Sequence, residues 1–93
     1  MELEELKQKE LRRRELTDIG TVLSNASGRR LIWRILEKCG VFSSTFNKDA
    51  STMAYLSGQQ DLGHFIMSEI VASDEHLLFK LMKENKTKEK LDE

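Results

Sequence analysis

Four side chains in this sequence have the chemistry of nucleophiles, proton carriers or metal ligands: Cys39, Asp61, His64 and His76. A thiol becomes nucleophilic when a nearby base or positive charge favours the thiolate. Cys39 has basic neighbours, but it lies on the apolar side of a predicted helix, which favours a buried structural thiol. Asp61 and His64 lie one helical turn apart and His76 falls on another predicted helix, so they do not form a zinc-ligand pattern. The sequence therefore predicts no catalytic residue, no metal site and no cofactor.

The segment Asn25–Arg30 places small residues directly before a basic helix. Backbone amides at a helix N-terminus, together with two arginines, can hold a phosphate group. The glycine spacing and the lysine–hydroxyl pair of a nucleotide-binding loop are missing, however. Two interpretations stay open: a helix cap with two solvated arginines, or a contact for a partner's carboxylates or for nucleic-acid phosphates.

A tryptophan with three arginines on the same predicted helix is the strongest candidate for recognition. Tryptophan and arginine are the residue types that dominate the hot spots of protein interfaces. A lone tryptophan in a small helical domain can equally be its largest core residue, and the sequence leaves both interpretations open. The candidate partner-binding residues are Trp33, Arg29, Arg30 and Arg34.

The elements that position these residues belong to one domain at most, because the chain has 93 residues. Hydrophobic residues make up 39% and charged residues 33%, so the chain is less apolar and more charged than an average soluble domain. A chain of this size closes only a modest core, and its single cysteine excludes an internal disulfide. We therefore expect partner binding to contribute to its stability.

The charge pattern argues against a protein that coats DNA, because the formal net charge is −1. The basic run at residues 12–14 is bracketed by glutamates, which favours a solvated helix face over a nucleic-acid patch. The first ten residues, MELEELKQKE, are charged where a signal peptide would be apolar, and no apolar run approaches membrane length. We expect a protein without membrane association that is made and kept in a cytosol, or packed into something assembled there.

Composition divides the chain into three parts. Residues 1–24 are rich in helix-forming and charged residues but sparse in apolar ones, which predicts a charged N-terminal helix or arm. Residues 25–85 carry most of the apolar positions and predict a helical core domain. Residues 86–93 are polar on all sides and predict a tail that frays or is ordered by a partner.

The predicted fold class is all-α, because proline is absent and no segment alternates as a strand does. We expect a small, compact three-helix bundle of residues 28–39, 51–72 and 74–85, with an additional N-terminal helix and polar, partly extended ends. The predicted boundary residues are Asn25 or Ser27, Asp49 or Ser51, and Ser73 or Asp74 as N-caps, with Gly40 ending the first bundle helix.

Helical spacing also predicts which side chains form the core. Gly58 and Gly63 inside the second bundle helix predict close helix–helix approach. The loop residues Val41, Phe42 and Phe46 are expected to anchor it against the helices. The predicted buried residues are Leu31, Ile32, Ile35, Leu36 and Cys39; then Tyr55, Leu62, Phe65, Ile66, Met67, Ile70 and Val71; then Leu77, Leu78, Leu81 and Met82.

The stretch GRRLIWRILEKCGVF, at residues 28–42, resembles a small family of tailed-bacteriophage proteins found mostly in podophage-type genomes. The resemblance covers about residues 25–84 and excludes both charged ends. One departure is Glu75, where the family pattern leads us to expect proline. The matching positions are Gly28, Arg29, Arg30, Trp33, Arg34, Glu37, Cys39, Gly40, Phe42, Phe46, Gly58, Gly63 and Asp74.

Because members of this family tend to be encoded among capsid and portal genes, the resemblance implies a virion or assembly role. The expected function is a non-enzymatic structural protein, present in several copies, that binds portal, neck or capsid proteins; inside the head it would be ejected with the genome. Two alternatives stay open: a scaffold-like assembly factor absent from the mature particle, and a nucleic-acid-binding packaging accessory.

Overall fold

The computed structural model describes the backbone of residues 2–92 and the side chains of residues 2–86. Its elements are the helices α1 (Glu2–Leu23), α2 (Ala26–Cys39), α3 (Ala50–Ser73) and α4 (Glu75–Asp92). No strand occurs in this described part of the chain, and the predicted all-α fold class is confirmed. The ends are helical where we expected them to be partly extended, because α1 begins at Glu2 and α4 runs to Asp92. The side chains of the tail predicted for residues 86–93 lie outside the described residues after Lys86.

Local hydrogen bonds set the helix boundaries where the sequence predicted them. The side chain of Asn25 accepts a hydrogen bond from the backbone N–H of Gly28 at 2.8 Å, and that of Asp49 from the N–H of Thr52 at 3.0 Å. Gly40 ends α2 in the left-handed region, with φ of 70°, which costs glycine little. The predicted caps Asn25, Asp49 and Gly40 are therefore confirmed.

Asp74 separates α3 from α4 without an intervening loop. Its backbone N–H donates to the Ile70 carbonyl at 2.9 Å, and its Oδ1 accepts from the backbone N–H of His76 at 2.9 Å. The same residue thus ends one helix and caps the next. The two helices can therefore change direction within one residue.

The centre of the structure is α3, which contacts each of the other three helices. The core is small, with Leu23, Leu36, Ile70 and Leu81 fully buried. The molecule measures 50 × 37 × 17 Å along its principal axes, and its radius of gyration is 16.4 Å. A compact chain of this length would have a radius of gyration of about 12 Å. The helices therefore form a thin layer and not the compact bundle that we expected.

The first half of α1 is exposed, as predicted for a charged arm, but its second half packs with the core. Leu23 is 1% exposed, and Ser73 of α3 donates a hydrogen bond to the Leu16 carbonyl at 2.8 Å. Leu16 and Ile19 give this half an apolar side that the first half lacks. Residues 16–23 therefore pack with the bundle, although we assigned them to the N-terminal arm of residues 1–24.

Several residues that we predicted to be buried are exposed. A helix in a thin layer has neighbours on few sides, so part of its apolar surface stays uncovered. Ile32, Ile66, Met67, Leu77 and Leu78 are half-buried, which agrees with the prediction in part. The prediction was wrong for Leu31, Ile35, Tyr55, Leu62, Phe65, Val71 and Met82, and the loop residues Phe42 and Phe46 are also exposed.

Only one of the two glycines inside α3 marks a close approach. A Cβ atom on Gly63 would lie 2.2 Å from Val41 Cγ1 and 2.7 Å from Cys39 Cβ. Glycine at this position therefore lets the end of α2 lie directly on α3. At Gly58 a Cβ atom would meet nothing within 4 Å, so the same prediction was wrong there.

Candidate functional site

The side chains with potential catalytic chemistry do not come together. Cys39 is free and buried beside Gly63, as the structural interpretation predicted. His64 and His76 are exposed on α3 and α4. Within the described residues, no group of three histidine, cysteine, aspartate or glutamate side chains is arranged to hold a metal ion.

Of the four candidate partner-binding residues, Arg29 is turned into the protein. Its side chain is 11% exposed, and its Nε donates to both carboxylate oxygens of Glu84 at 2.9 and 3.2 Å. Its Nη1 donates to the Leu23 carbonyl at 2.9 Å, which satisfies one of the free carbonyls at the end of α1. Arg29 therefore joins α1, α2 and α4 and presents little surface to a partner.

Trp33 packs partly in the core and partly at the surface. One side of the half-buried indole packs against the core cluster that contains Leu23, Ile70 and Leu81. The ring also stacks on exposed Phe42, with 5.1 Å between ring centroids and an interplanar angle of 30°. Trp33 and Phe42 together form an aromatic pair that is anchored in the core and reaches the surface.

The two other candidate arginines line a groove that Trp33 also lines. It has a volume of about 420 Å³ and lies between α2 and α4. Arg30 and Arg34 are both exposed along it, and Arg30 donates to the Ser27 hydroxyl at 3.2 Å. We call it the α2–α4 groove; its lining residues are Ser27, Arg30, Leu31, Trp33, Arg34, Glu37 and Asn85.

The basic run in α1 is largely used within the fold. Arg12 donates to both carboxylate oxygens of Glu69 on α3, at 2.7 and 3.1 Å, and to Glu15 at 3.3 Å. The hydrogen bond from Arg12 lowers the pKa of Glu69 below its ordinary value of 4.5. Arg13 pairs with Glu10 one turn earlier on the same helix. These contacts match the predicted solvated helix face and leave little free positive charge for nucleic acid.

A second surface was missed by the sequence analysis, which predicted that all of its residues except Val22 would be buried. We call it the apolar face; its exposed residues are Val22, Leu31, Ile35, Leu62 and Phe65. Viewed down the helix axis, the apolar residues of α2 occupy an arc of roughly 200°, with Leu31 at one edge and Trp33 at the other. This is about twice the width of an ordinary buried stripe. That width was the available signal, because one helix face cannot be buried over so wide an arc in a thin layer.

These features define a small all-α protein with a core anchored by few side chains, an exposed groove and an exposed apolar face. The chain belongs to the Bbp19-like phage protein family, whose model matches residues 19–83. The match includes the last five residues of α1, among them the buried Leu23, and it establishes a phage protein. No curated protein and no solved structure gave a significant match. Among the described residues, no helix is long and apolar enough to cross a membrane.

Proposed function

We propose that this chain is a non-enzymatic structural protein of a tailed-phage virion, a helical adaptor that binds other particle proteins at the portal, the neck or the capsid interior. The observation that carries the proposal is that more of its large hydrophobic residues are exposed than are buried. Among the described side chains, fifteen large hydrophobic residues are exposed and five hydrophobic residues are buried. Apolar patches exposed on this scale mark sites where another protein covers them.

The α2–α4 groove is the proposed contact with another virion protein. Trp33, which lines the groove, offers a rigid apolar anchor because its ring stacks on Phe42 and packs against the core. Arg30 and Arg34 stand at the rim, where they can pair with a partner's carboxylates. An aromatic anchor with arginines around it is the usual composition of an interface hot spot.

One observation favours the nucleic-acid alternative. Arg30, Arg34 and Lys38 are exposed and lie four residues apart, so they form one basic row on α2. A net charge of −1 opposes it, because nucleic-acid binding draws on a positive excess. The row therefore serves the adaptor proposal better, as the charged border of an apolar contact.

Mass spectrometry of purified particles tests the proposal. We expect the chain to be present in mature virions; its absence from virions but presence in assembly intermediates would instead support the scaffold-like alternative. Arg30→Glu should reduce incorporation, whereas Lys48→Glu, a charge reversal in the loop, should not. A salt-dependent DNA affinity that falls in Arg30→Glu, with incorporation unchanged, would support the nucleic-acid alternative.

Trp33→Ala tests the anchor, and its melt is measured before its incorporation because Trp33 contacts the core. A hot-spot tryptophan typically costs about 2 kcal/mol or more on truncation, roughly thirtyfold in affinity. If the variant melts cooperatively, we expect it to be missing from particles. A folded variant that is incorporated like the parent would remove this contact from the proposal, and loss of the cooperative melt would show that the core role dominates.

A further inference from the structure

The apolar face lies on one side of the layer and extends over three helices. Along α3, Phe65 borders a groove of about 400 Å³ against Val22 of α1, and Leu62 borders one of about 430 Å³ against Leu31 and Ile35 of α2. Leu62 and Phe65 are one helical turn apart, so the two grooves are neighbours. The face is thus a continuous apolar strip between a wall made by α1 and a wall made by α2.

The two walls carry charges of opposite sign. On the α1 side, Glu15 and Asp18 border the strip, and on the α2 side Arg34 and Lys38 border it. Glu15 has one contact with Arg12, at 3.3 Å. Within residues 2–86, the other three form no intramolecular ion pair, so their charges remain available.

We propose that the apolar face joins two copies of this chain in a two-fold symmetric dimer. In such an interface each copy presents the same patch, and a two-fold axis that runs along the strip brings the α1 wall of one copy onto the α2 wall of the other. The acidic side then meets the basic side twice, and the apolar strips cover each other. A partner of uniform charge would match one wall and be repelled by the other.

Net charge and area both agree with self-association. Each copy carries a net charge of only −1, so long-range repulsion between copies is weak. The five exposed residues, which are 37–59% exposed, present apolar surface on the order of 400 Å². A standard interface buries about 800 Å² per partner, about two-thirds of it apolar in homodimers. Half-buried Ile19, Ile32 and Ile66 line the same strip and add to this area.

The dimer does not depend on the adaptor proposal, and it is tested on the isolated full chain by sedimentation velocity over a concentration series. We expect a dimer for the parent. Leu62→Glu should raise the dimer dissociation constant about hundredfold or more, because symmetry places the new charge in the strip twice. Phe79→Glu is the matched control: Phe79 is 72% exposed on α4, away from the strip, and its variant should dimerise like the parent.

A charge exchange then distinguishes the two-fold contact from nonspecific association. Asp18→Lys alone should weaken the dimer about tenfold, and Lys38→Glu alone should also weaken it. The variant with both changes should recover much of the parental affinity, because the two walls are complementary again. A parent that remains monomeric at about 100 µM would overturn the proposal. Equal weakening by Leu62→Glu and Phe79→Glu, or a double variant weaker than either single one, would also overturn it.

Discussion

Replacing Gly28 with alanine adds one methyl group at the point where the first turn of α2 meets the last turn of α1. The new Cβ atom would lie 1.8 Å from the Val22 carbonyl oxygen and 2.8 Å from its carbonyl carbon. A carbon–oxygen contact normally requires about 3.3 Å or more. Both contacts are with backbone atoms, so no side chain can rotate away. The two helices would have to separate by about 1.5 Å.

The cost of that separation follows from what the two helices hold. Leu23, 1% exposed, enters the core from the end of α1, one residue after Val22, and the Leu23 carbonyl accepts the hydrogen bond from Arg29. Overpacking alone costs about 1–3 kcal/mol, and partial withdrawal of a buried leucine adds to it. Alanine regains about 1 kcal/mol through its higher helix propensity. We expect a net loss of about 2–4 kcal/mol, which for a domain of this size lowers Tm by about 10 °C or more.

Gly58→Ala is the control, because it makes the same chemical change inside α3 where the new Cβ atom meets nothing within 4 Å. Helix propensity then acts alone, and we expect a gain of about 0.5–1 kcal/mol. Thermal and urea unfolding followed by circular dichroism measures both variants against the parent. The reasoning is refuted if Gly28→Ala is as stable as the parent or more stable, or if the two substitutions shift stability in the same direction.

Three further predictions address the core and an ion pair. Cys39→Ala should lower the free energy of unfolding by about 1–2 kcal/mol in urea melts and should still support a normal phage yield. Loss of infectivity in a variant that folds and is incorporated would show a chemical role for the thiol. Leu36→Asp should abolish the cooperative melt, because it buries an unpaired charge at a 0% exposed position, whereas Phe79→Asp should melt like the parent. The lowered pKa of Glu69 means that its ion pair with Arg12 stabilises the fold above pH 4.5, and that this contribution is lost as the pH falls through the lowered pKa. Glu69→Gln should therefore reduce stability at neutral pH and flatten the loss of stability below pH 4.5; an unchanged acid profile would contradict this.

Helix class and most helix boundaries were predictable because they depend on residues close together in the chain. The hydrogen bond that caps α2 joins Asn25 and Gly28, three residues apart, and the left-handed turn that ends it requires only Gly40. The burial of Leu36 and Cys39 was also predictable, because both lie near the middle of the apolar arc of α2. Ile32 lies between them on the arc and is half-buried, so the arc indicates which side of α2 faces the core but not how fully each residue is covered.

The residues at the edges of that arc could not be assigned in the same way. Leu31 and Ile35 lie on one flank and Trp33 on the other, and only the positions of α3 and α4 decide which flank is covered. The role of Arg29 was undecidable for a related reason, since its carboxylate partner Glu84 lies 55 residues away. Arg30 is adjacent in sequence and looks equivalent, but it stays exposed.

The amino-acid sequence by itself therefore determined four helices, their caps and the scarcity of core residues, because these follow from propensity, periodicity and composition. The tertiary structure alone decided that the helices lie in a layer 17 Å thick and that α1 joins the core through Leu23. It also decided which apolar residues remain uncovered between the acidic and the basic wall. The physical reason is that burial depends on the relative positions of helices that are distant in sequence, and a helical pattern specifies only the direction in which each side chain points.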